Sequence, residues 1–298
     1  MASDFLPLGR TARADDGTTA DPAGAVRAFA AGCGRGDAAA CGEQGVQLVA
    51  GEGVAPDADA GRALLTRACD GGALAFCVDL GASLLAVAPP ASAAAARAAA
   101  LFRRACEGNV ARGCTAQGEA QLTGRGVAAD PVGAVTLFAG ACAAGDAVGC
   151  TRLGIALVDG VPGVRADVIR AAQSFQTGCT AGDGDGCDRL AGLLWDGRRL
   201  PRDRARAMTL WQRGCTAGSG PACYGVGGRL VRGDDVRRDE VAGDAALARG
   251  CDVGEARACG LLSEQVAAGR GVAADAIRAA TLLRRACDLG WGDRRCRR

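Results

Sequence analysis

The 298-residue chain contains no histidine and no lysine; all 35 of its basic residues are arginine. Without histidine it lacks the commonest general base, the Ser-His and Cys-His nucleophile pairs, and the usual ligand sets of catalytic zinc. Without lysine, Schiff-base chemistry and a P-loop are excluded as well. Aromatic residues make up only 3% of the chain, so its core has to be built largely from small and aliphatic side chains. Long apolar runs are also missing. The longest uncharged stretch, residues 81–96, contains Pro89-Pro90 and mostly small side chains, short of the roughly 20 apolar residues that span a bilayer as a helix. The first twenty residues carry Asp4, Arg10, Arg13, Asp15 and Asp16 around no apolar core, which does not fit a signal peptide. A net charge of +2, spread along the chain, gives no footprint for nucleic acid. The one basic cluster, Arg294, Arg295, Arg297 and Arg298, is expected to be a solvated tail.

What is abundant is glycine, with 47 residues, and cysteine, with 16. So many cysteines argue against an ordinary cytosolic enzyme and for an oxidising compartment. They fall in pairs: Cys33 and Cys41, Cys69 and Cys77, Cys106 and Cys114, Cys142 and Cys150, Cys179 and Cys187, Cys215 and Cys223, Cys251 and Cys259, and Cys287 and Cys296. The first members recur every 36 or 37 residues, a period that marks stacked supersecondary units and one array rather than two domains.

Each unit reads as two helices. After the second cysteine, apolar and small residues such as Leu80-Gly81 and Leu153-Gly154 are followed by Leu84 or Leu157 and then by Gly124, Gly160, Gly197 or their equivalents. These spacings lie on one face of a helix, called helix A, which the last glycine ends in a left-handed cap. A Gly-x-Gly-Val loop, as in residues 51–54, 124–127 and 269–272, leads to an aspartate expected to cap the next helix: Asp21, Asp57, Asp130, Asp167, Asp203, Asp239 or Asp275. In that helix B a small residue is followed four positions on by a large one, among them Leu65, Phe102, Phe138, Phe175, Trp211 and Leu247, and then by the first cysteine of the next pair. The recurring aromatics are core residues, because small residues let bulky neighbours approach closely. One unit has lost its aspartate and has Pro89-Pro90 in place of the glycine loop. The fold class expected is all-α: a right-handed α/α solenoid of seven to eight helix-turn-helix repeats over residues 21–298. Residues 1–20 form an N-terminal segment with a degenerate first helix near residues 5–15, and the chain is expected to begin downstream of an export signal.

Residues eight apart lie about 12 Å apart in a helix and about 26 Å apart in a strand, whereas a disulfide needs its Cα atoms roughly 4.4–6.8 Å apart. If each pair is bonded, the chain must therefore reverse between its cysteines, and the small, glycine-rich residues 34–40, 70–76 and 180–186 allow it. Each bond would tie the end of helix B to the start of the next helix A. Zinc sites favour cysteines two to four residues apart, often with histidine, and no Cys-x-x-Cys redox motif occurs. Free thiols are the other reading of these pairs.

The Leu-Gly of helix A, the Gly-x-Gly-Val loop, its aspartate and the Ala and Phe or Trp of helix B resemble the Sel1-like repeat family, relatives of the tetratricopeptide repeat. The paired cysteines are similar to those of the Helicobacter cysteine-rich proteins. That resemblance implies a secreted or periplasmic α/α solenoid with one disulfide per repeat, and, as described for some of those proteins, penicillin binding or β-lactamase activity. The residues support no such mechanism. Serine β-lactamases need Ser-x-x-Lys and the metallo enzymes need histidine ligands, and the nearest carboxylate pairs, Asp234-Asp235 and Asp239-Glu240, fall in a loop and at a helix start. Binding without catalysis, cofactor or metal is the expected function.

By analogy with tetratricopeptide arrays, helix A lines the concave surface. There the residues that vary between units include Glu43, Asp79, Glu119 and Glu264, and the candidates for ligand contact are Arg152, Arg189, Trp195, Tyr224 and Arg229. Trp195 and Tyr224 break the repeat's own pattern, and aromatic anchors are favoured at interfaces. The partner expected is a protein or peptide, or cell-wall material, bound by an extracytoplasmic monomer. An intracellular signalling scaffold is the alternative.

Overall fold

The structure, a computed structural model, describes residues 22–297. Among them are fifteen α-helices: α1 (Pro22–Gly34), α2 (Ala38–Ala50), α3 (Ala58–Asp70), α4 (Ala75–Leu85), α5 (Ala93–Glu107), α6 (Ala111–Thr123), α7 (Pro131–Ala143), α8 (Ala147–Asp159), α9 (Val168–Thr180), α10 (Gly184–Asp196), α11 (Arg204–Thr216), α12 (Gly220–Arg232), α13 (Glu240–Asp252), α14 (Ala256–Ala268) and α15 (Ala276–Asp288). A 3-10 turn, Arg294–Arg297, follows. Odd-numbered helices are helix B of the repeat and even-numbered ones helix A. The helix expected near residues 5–15 and the cap expected at Asp21 lie outside the described residues. The chain forms two compact units, one holding residues up to Gly149 and Val161–Val164, the other Cys150–Gly160 and the chain from Arg165 onward.

Both helix starts and stops have local causes. Gly51, Gly124, Gly197, Gly233 and Gly269 end their A helices in the left-handed region, with φ between 65° and 74°. The Asp57, Asp130, Asp167, Asp203, Asp239 and Asp275 carboxylates each accept from the third amide of the following helix. Their own amides donate back to helix A, as Asp203 does to the Leu194 carbonyl at 3.0 Å, which fixes the A-to-B hairpin. In the unit without an aspartate, Ser92 takes over and accepts from the Ala95 amide. A second set of caps stands before helix A: Asp37, Asp146, Asp183, Ser219 and Glu255 each accept an amide of the A helix that follows.

The cysteines are oxidised, none being free. The chain reverses three residues after each first cysteine, where Gly36, Gly72, Gly145, Gly182, Gly218, Gly254 and Gly290 have φ between 87° and 101° and Asn109 has 62°. Asparagine is the side chain most tolerant of that region. The reversal brings Cα atoms to between 4.4 and 5.2 Å in the Cys33–Cys41, Cys69–Cys77, Cys106–Cys114, Cys179–Cys187, Cys215–Cys223, Cys251–Cys259 and Cys287–Cys296 bonds. Cys142 and Cys150 are disulfide-bonded as well.

The small residue of helix A is the seat of the large residue of helix B. A Cβ at Gly81 would lie 2.4 Å from the Phe102 ring, one at Gly118 2.7 Å from Phe138, one at Gly154 2.5 Å from Phe175 and one at Gly227 2.8 Å from Leu247. Those four large side chains are fully buried. Arginines two residues before the first cysteine add a contact that sequence reading missed: Arg104, Arg213 and Arg285 donate to the carbonyls of Cys69, Thr180 and Asp252, at the end of the preceding helix B. Positive charge there complements the helix C-terminus.

Within each unit, helices A of successive repeats touch directly, α2 with α4, α4 with α6, α10 with α12 and α12 with α14. The A face is therefore the inner one, and side chains on neighbouring A helices can act on one ligand. Among the described residues no helix is long and apolar enough to cross a membrane.

Candidate functional site

The A helices of the second unit carry a patch with no counterpart at the same positions in other repeats. Eight residues after the second cysteine, helix A holds Val49, Leu85, Leu122, Val158, Val231 or Ala267, but Trp195 in α10. Six after it stand Gln47, Ser83, Ala120, Ala156, Leu193 or Gln265, but Arg229 in α12. The structure brings these two together with Trp211 of α11. The Trp195 and Trp211 ring centroids are 5.4 Å apart with planes tilted by 50°. The Arg229 guanidinium carbon sits 3.8 Å from the Trp211 centroid and 4.3 Å from that of Trp195. Arg204 lies over Trp195 at 5.2 Å. Each such stack is worth about 0.5–2 kcal/mol, the more so when shielded from water.

One face of Trp211 rests on α12, where a Cβ at Gly225 would meet its Nε1 at 2.7 Å. That indole N–H donates to the Asp188 carboxylate of α10 at 2.8 Å. Burial pushes the Asp188 carboxyl above the usual range, and the Trp211 bond opposes the rise. Asp188 and Tyr224 occupy the same repeat position in α10 and α12. The Tyr224 ring is covered by Arg257 of α14 at 4.6 Å, and Glu255 holds that guanidinium through a 2.8 Å bond. The patch thus has two levels about 8–10 Å apart along the helix axes, one at Asp188, Tyr224 and Arg257 and one at Trp195 and Arg229.

Of the five residues singled out by sequence, Trp195, Tyr224 and Arg229 belong to this patch. Arg189, on α10 beside Asp188, is exposed and borders a pocket of about 310 Å³ with Asp188, Ile155, Val158 and Leu193. Arg152 lies one repeat away on α8, within electrostatic reach of Asp183. Sequence reasoning did not bring Trp211, Asp188 and Arg257 into this group. Trp211 is buried in the core, as its register predicts; its indole N–H, where other repeats carry phenylalanine or leucine, is a legible signal for a polar partner.

Other variable residues of helix A are engaged within the scaffold. Asp79 is buried and paired with Arg112 at 2.7 Å, and Glu264 accepts from Arg295 at 2.6 Å. Arg295 also holds Asp293 and stacks on Trp291 at 4.9 Å, so the expected solvated tail is in part docked. Trp291 lies on Gly260, at 2.7 Å from where a Cβ would be, and packs on Cys251, Cys259 and Ala286. The carboxylates nearest to a catalytic pair are engaged: Asp234 with Arg232, Asp235 with Arg204, Asp239 as a cap and Glu240 with Arg238. No group of histidine, cysteine or carboxylate side chains able to hold a metal occurs among the described residues.

A larger groove of about 710 Å³ lies between the B helices α9 and α11, where Ile169, Ala172, Leu194 and Leu200 line one side and Arg206 crosses to Gln176 at 2.8 Å. Its lining is that of the ordinary inter-repeat seam.

Comparison with solved structures returns repeat proteins. A Sel1 repeat protein from Oxalobacter formigenes aligns over 76% of this chain and 99% of its own with 21% identity and a TM-score of 0.62. A protective antigen of uropathogenic Escherichia coli with an SLR fold aligns over 91% of this chain with 20% identity and a TM-score of 0.50, and this chain spans 66% of that one. Cysteine rich protein B of Helicobacter pylori aligns over 43% of this chain and 92% of its own, with 22% identity and a TM-score of 0.37. No curated protein matches. The Sel1 repeat family model matches residues 48–72, 113–146, 147–183, 184–219, 220–243 and 256–291, well over half of the sequence, in register with the hairpins described above, and the chain belongs to the Sel1 repeat family.

Proposed function

We propose that this protein is an exported, disulfide-stapled scaffold that binds a partner protein on the A-helix face of its second unit. Sel1 repeats generally serve as non-enzymatic scaffolds for protein binding. The observation that carries the reading to particular residues is the patch of Trp195, Trp211, Arg229, Tyr224 and Arg257. It puts aromatic and arginine side chains, the residue types enriched at binding hot spots, on the three A helices α10, α12 and α14, with the buried Trp211 of α11 beneath them. Export is supported by the oxidation of every cysteine, a state that reducing compartments do not maintain.

Site-specific photo-cross-linking in the native host tests the reading. A cross-linker replacing Arg189, on the inner face, should capture a discrete partner, and one replacing Ile277, which is 83% exposed on helix B, should not. Trp195→Ala and Tyr224→Ala should each reduce capture about tenfold, the effect of losing a hot-spot side chain. Equal capture at the two positions, or capture indifferent to both substitutions, sinks the assignment.

A further inference from the structure

Arg204, Arg229 and Arg257 lie over the aromatic rings of the patch and Arg232 is within electrostatic reach of Arg229; three of these four have carboxylate partners. Arg204 is paired with Asp235 at 2.5 Å, Arg232 with Asp234 at 2.7 Å and Arg257 with Glu255 at 2.8 Å. Arg229 has none. Its guanidinium donates to the Gly225 carbonyl of its own helix at 3.0 Å, and its buried Nε has no acceptor. Both indoles lie to one side of it, their centroids being only 5.4 Å apart, and the residue is half-buried; the edge of its fork is the part that planar, bidentate acceptors bind. Packing alone does not call for a charge here, since the other repeats fill the position with Gln, Ser, Ala or Leu. A half-buried cation without a counter-ion is unfavourable until one arrives.

We infer that Arg229, braced by Trp195 and Trp211, is the receptor for a carboxylate of the partner protein. A carboxylate fits better than a phosphate. Arg232, Asp234 and Asp196 are all within electrostatic reach of Arg229, and Arg232 is held by Asp234, so the one unpaired guanidinium matches a single negative charge better than a dianion. The carboxylate can come from an Asp or Glu side chain or from a chain terminus. This inference rests on the binding role proposed above and adds the chemistry of what is bound.

The three tryptophans of the chain supply the test. Two lie in the patch and Trp291 sits in the last inter-cysteine segment, so their indole N–H signals in a proton–nitrogen NMR spectrum are two reporters and a control. The folded protein is titrated with N-acetyl-aspartate α-amide, which carries a side-chain carboxylate, and with N-acetyl-glycylglycine, which carries a terminal one. The Trp195 and Trp211 signals should shift to saturation with at least one probe while Trp291 stays fixed; the tighter probe names the source. Arg229→Gln should weaken that binding at least about tenfold, as expected for a charge-assisted bond. If the Gln variant does not fold, Arg229→Lys, which keeps the charge but loses the planar fork, must weaken binding instead. Absence of saturation, parallel movement of Trp291, or wild-type affinity in the folded Arg229 variant overturns the inference. Inner-face cross-linking that survives Arg229→Gln would remove this inference and leave the scaffold reading standing.

Discussion

Asp244 is the residue at which this fold is least at ease. It lies on α13 with 3% exposure, and neither carboxylate oxygen has a hydrogen-bond partner among the described residues. Gly271 of the next A-to-B loop presses against it, since a Cβ there would come within 2.5 Å of one oxygen. Burial first, and then Glu240, raise its carboxyl to about 6, while Arg278 and Arg270 oppose the rise. A carboxyl whose folded value lies above its unfolded one stabilises the fold while protonated. That contribution is complete below about pH 4 and is lost as pH rises through about 6. Asp244→Asn should therefore raise stability at pH 7.5 by about 1–2 kcal/mol and change little at pH 4. Thermal melts at the two pH values check this; a variant no more stable at pH 7.5 than the parent would show that the carboxylate is satisfied in solution. The sequence shows Asp244 only as one more helix-B residue. Its difficulty comes from a loop of the next repeat, a tertiary contact that no local pattern encodes.

At the scale of the helix, much was legible because each repeat restates the same local rules. The left-handed glycine stops, the aspartate starts and the chain reversals between cysteines all follow from φ preferences and capping. The arginines two before the first cysteine stayed hidden, because their acceptors are carbonyls about one repeat upstream. The glycines divide by what they face. Gly140 in α7 has open space where a Cβ would go, so Gly140→Ala should stabilise by about 0.5–1 kcal/mol through helix propensity alone. Gly81 seats the Phe102 ring, so Gly81→Ala should cost about 1–3 kcal/mol through overpacking, despite the same propensity gain. Chemical denaturation of the two variants separates the effects by sign. Two stabilised variants would mean that α4 and α5 do not pack as closely as described. The proposed binding patch was legible in half. Trp195, Tyr224 and Arg229 stand out as departures from the repeat, but that Trp211 turns its N–H toward Asp188 depends on how α10, α11 and α12 meet.

For the whole molecule, the disulfides decide how stability is distributed. A repeat array is held by nearest-neighbour contacts, and these seams contain few large side chains. Each bond closes a loop of about nine residues, which removes denatured-state entropy worth about 2.6 kcal/mol. Eight such terms rival the entire net stability of a domain, about 5–15 kcal/mol. Because the bonds are local, each strengthens the junction between one helix B and the next helix A and leaves the A-to-B hairpin to its glycine and aspartate caps. Replacing Cys106 and Cys114 together by alanine should thus cost about 2–3 kcal/mol. Hydrogen exchange should rise first in α5 and α6, the helices that this bond joins, and least in the helices farthest from it along the chain. Full reduction should do more than sum these losses, since it loosens every junction at once. The reduced chain should melt at a much lower temperature and over a wider range than the oxidised one, as cooperativity between repeats fails. Alkylation followed by mass measurement fixes the starting point: the native protein should take up no label, and the reduced, denatured chain sixteen. A reduced protein that melts as sharply and as high as the oxidised one would show that packing between the helices, and not the cross-links, holds the array together.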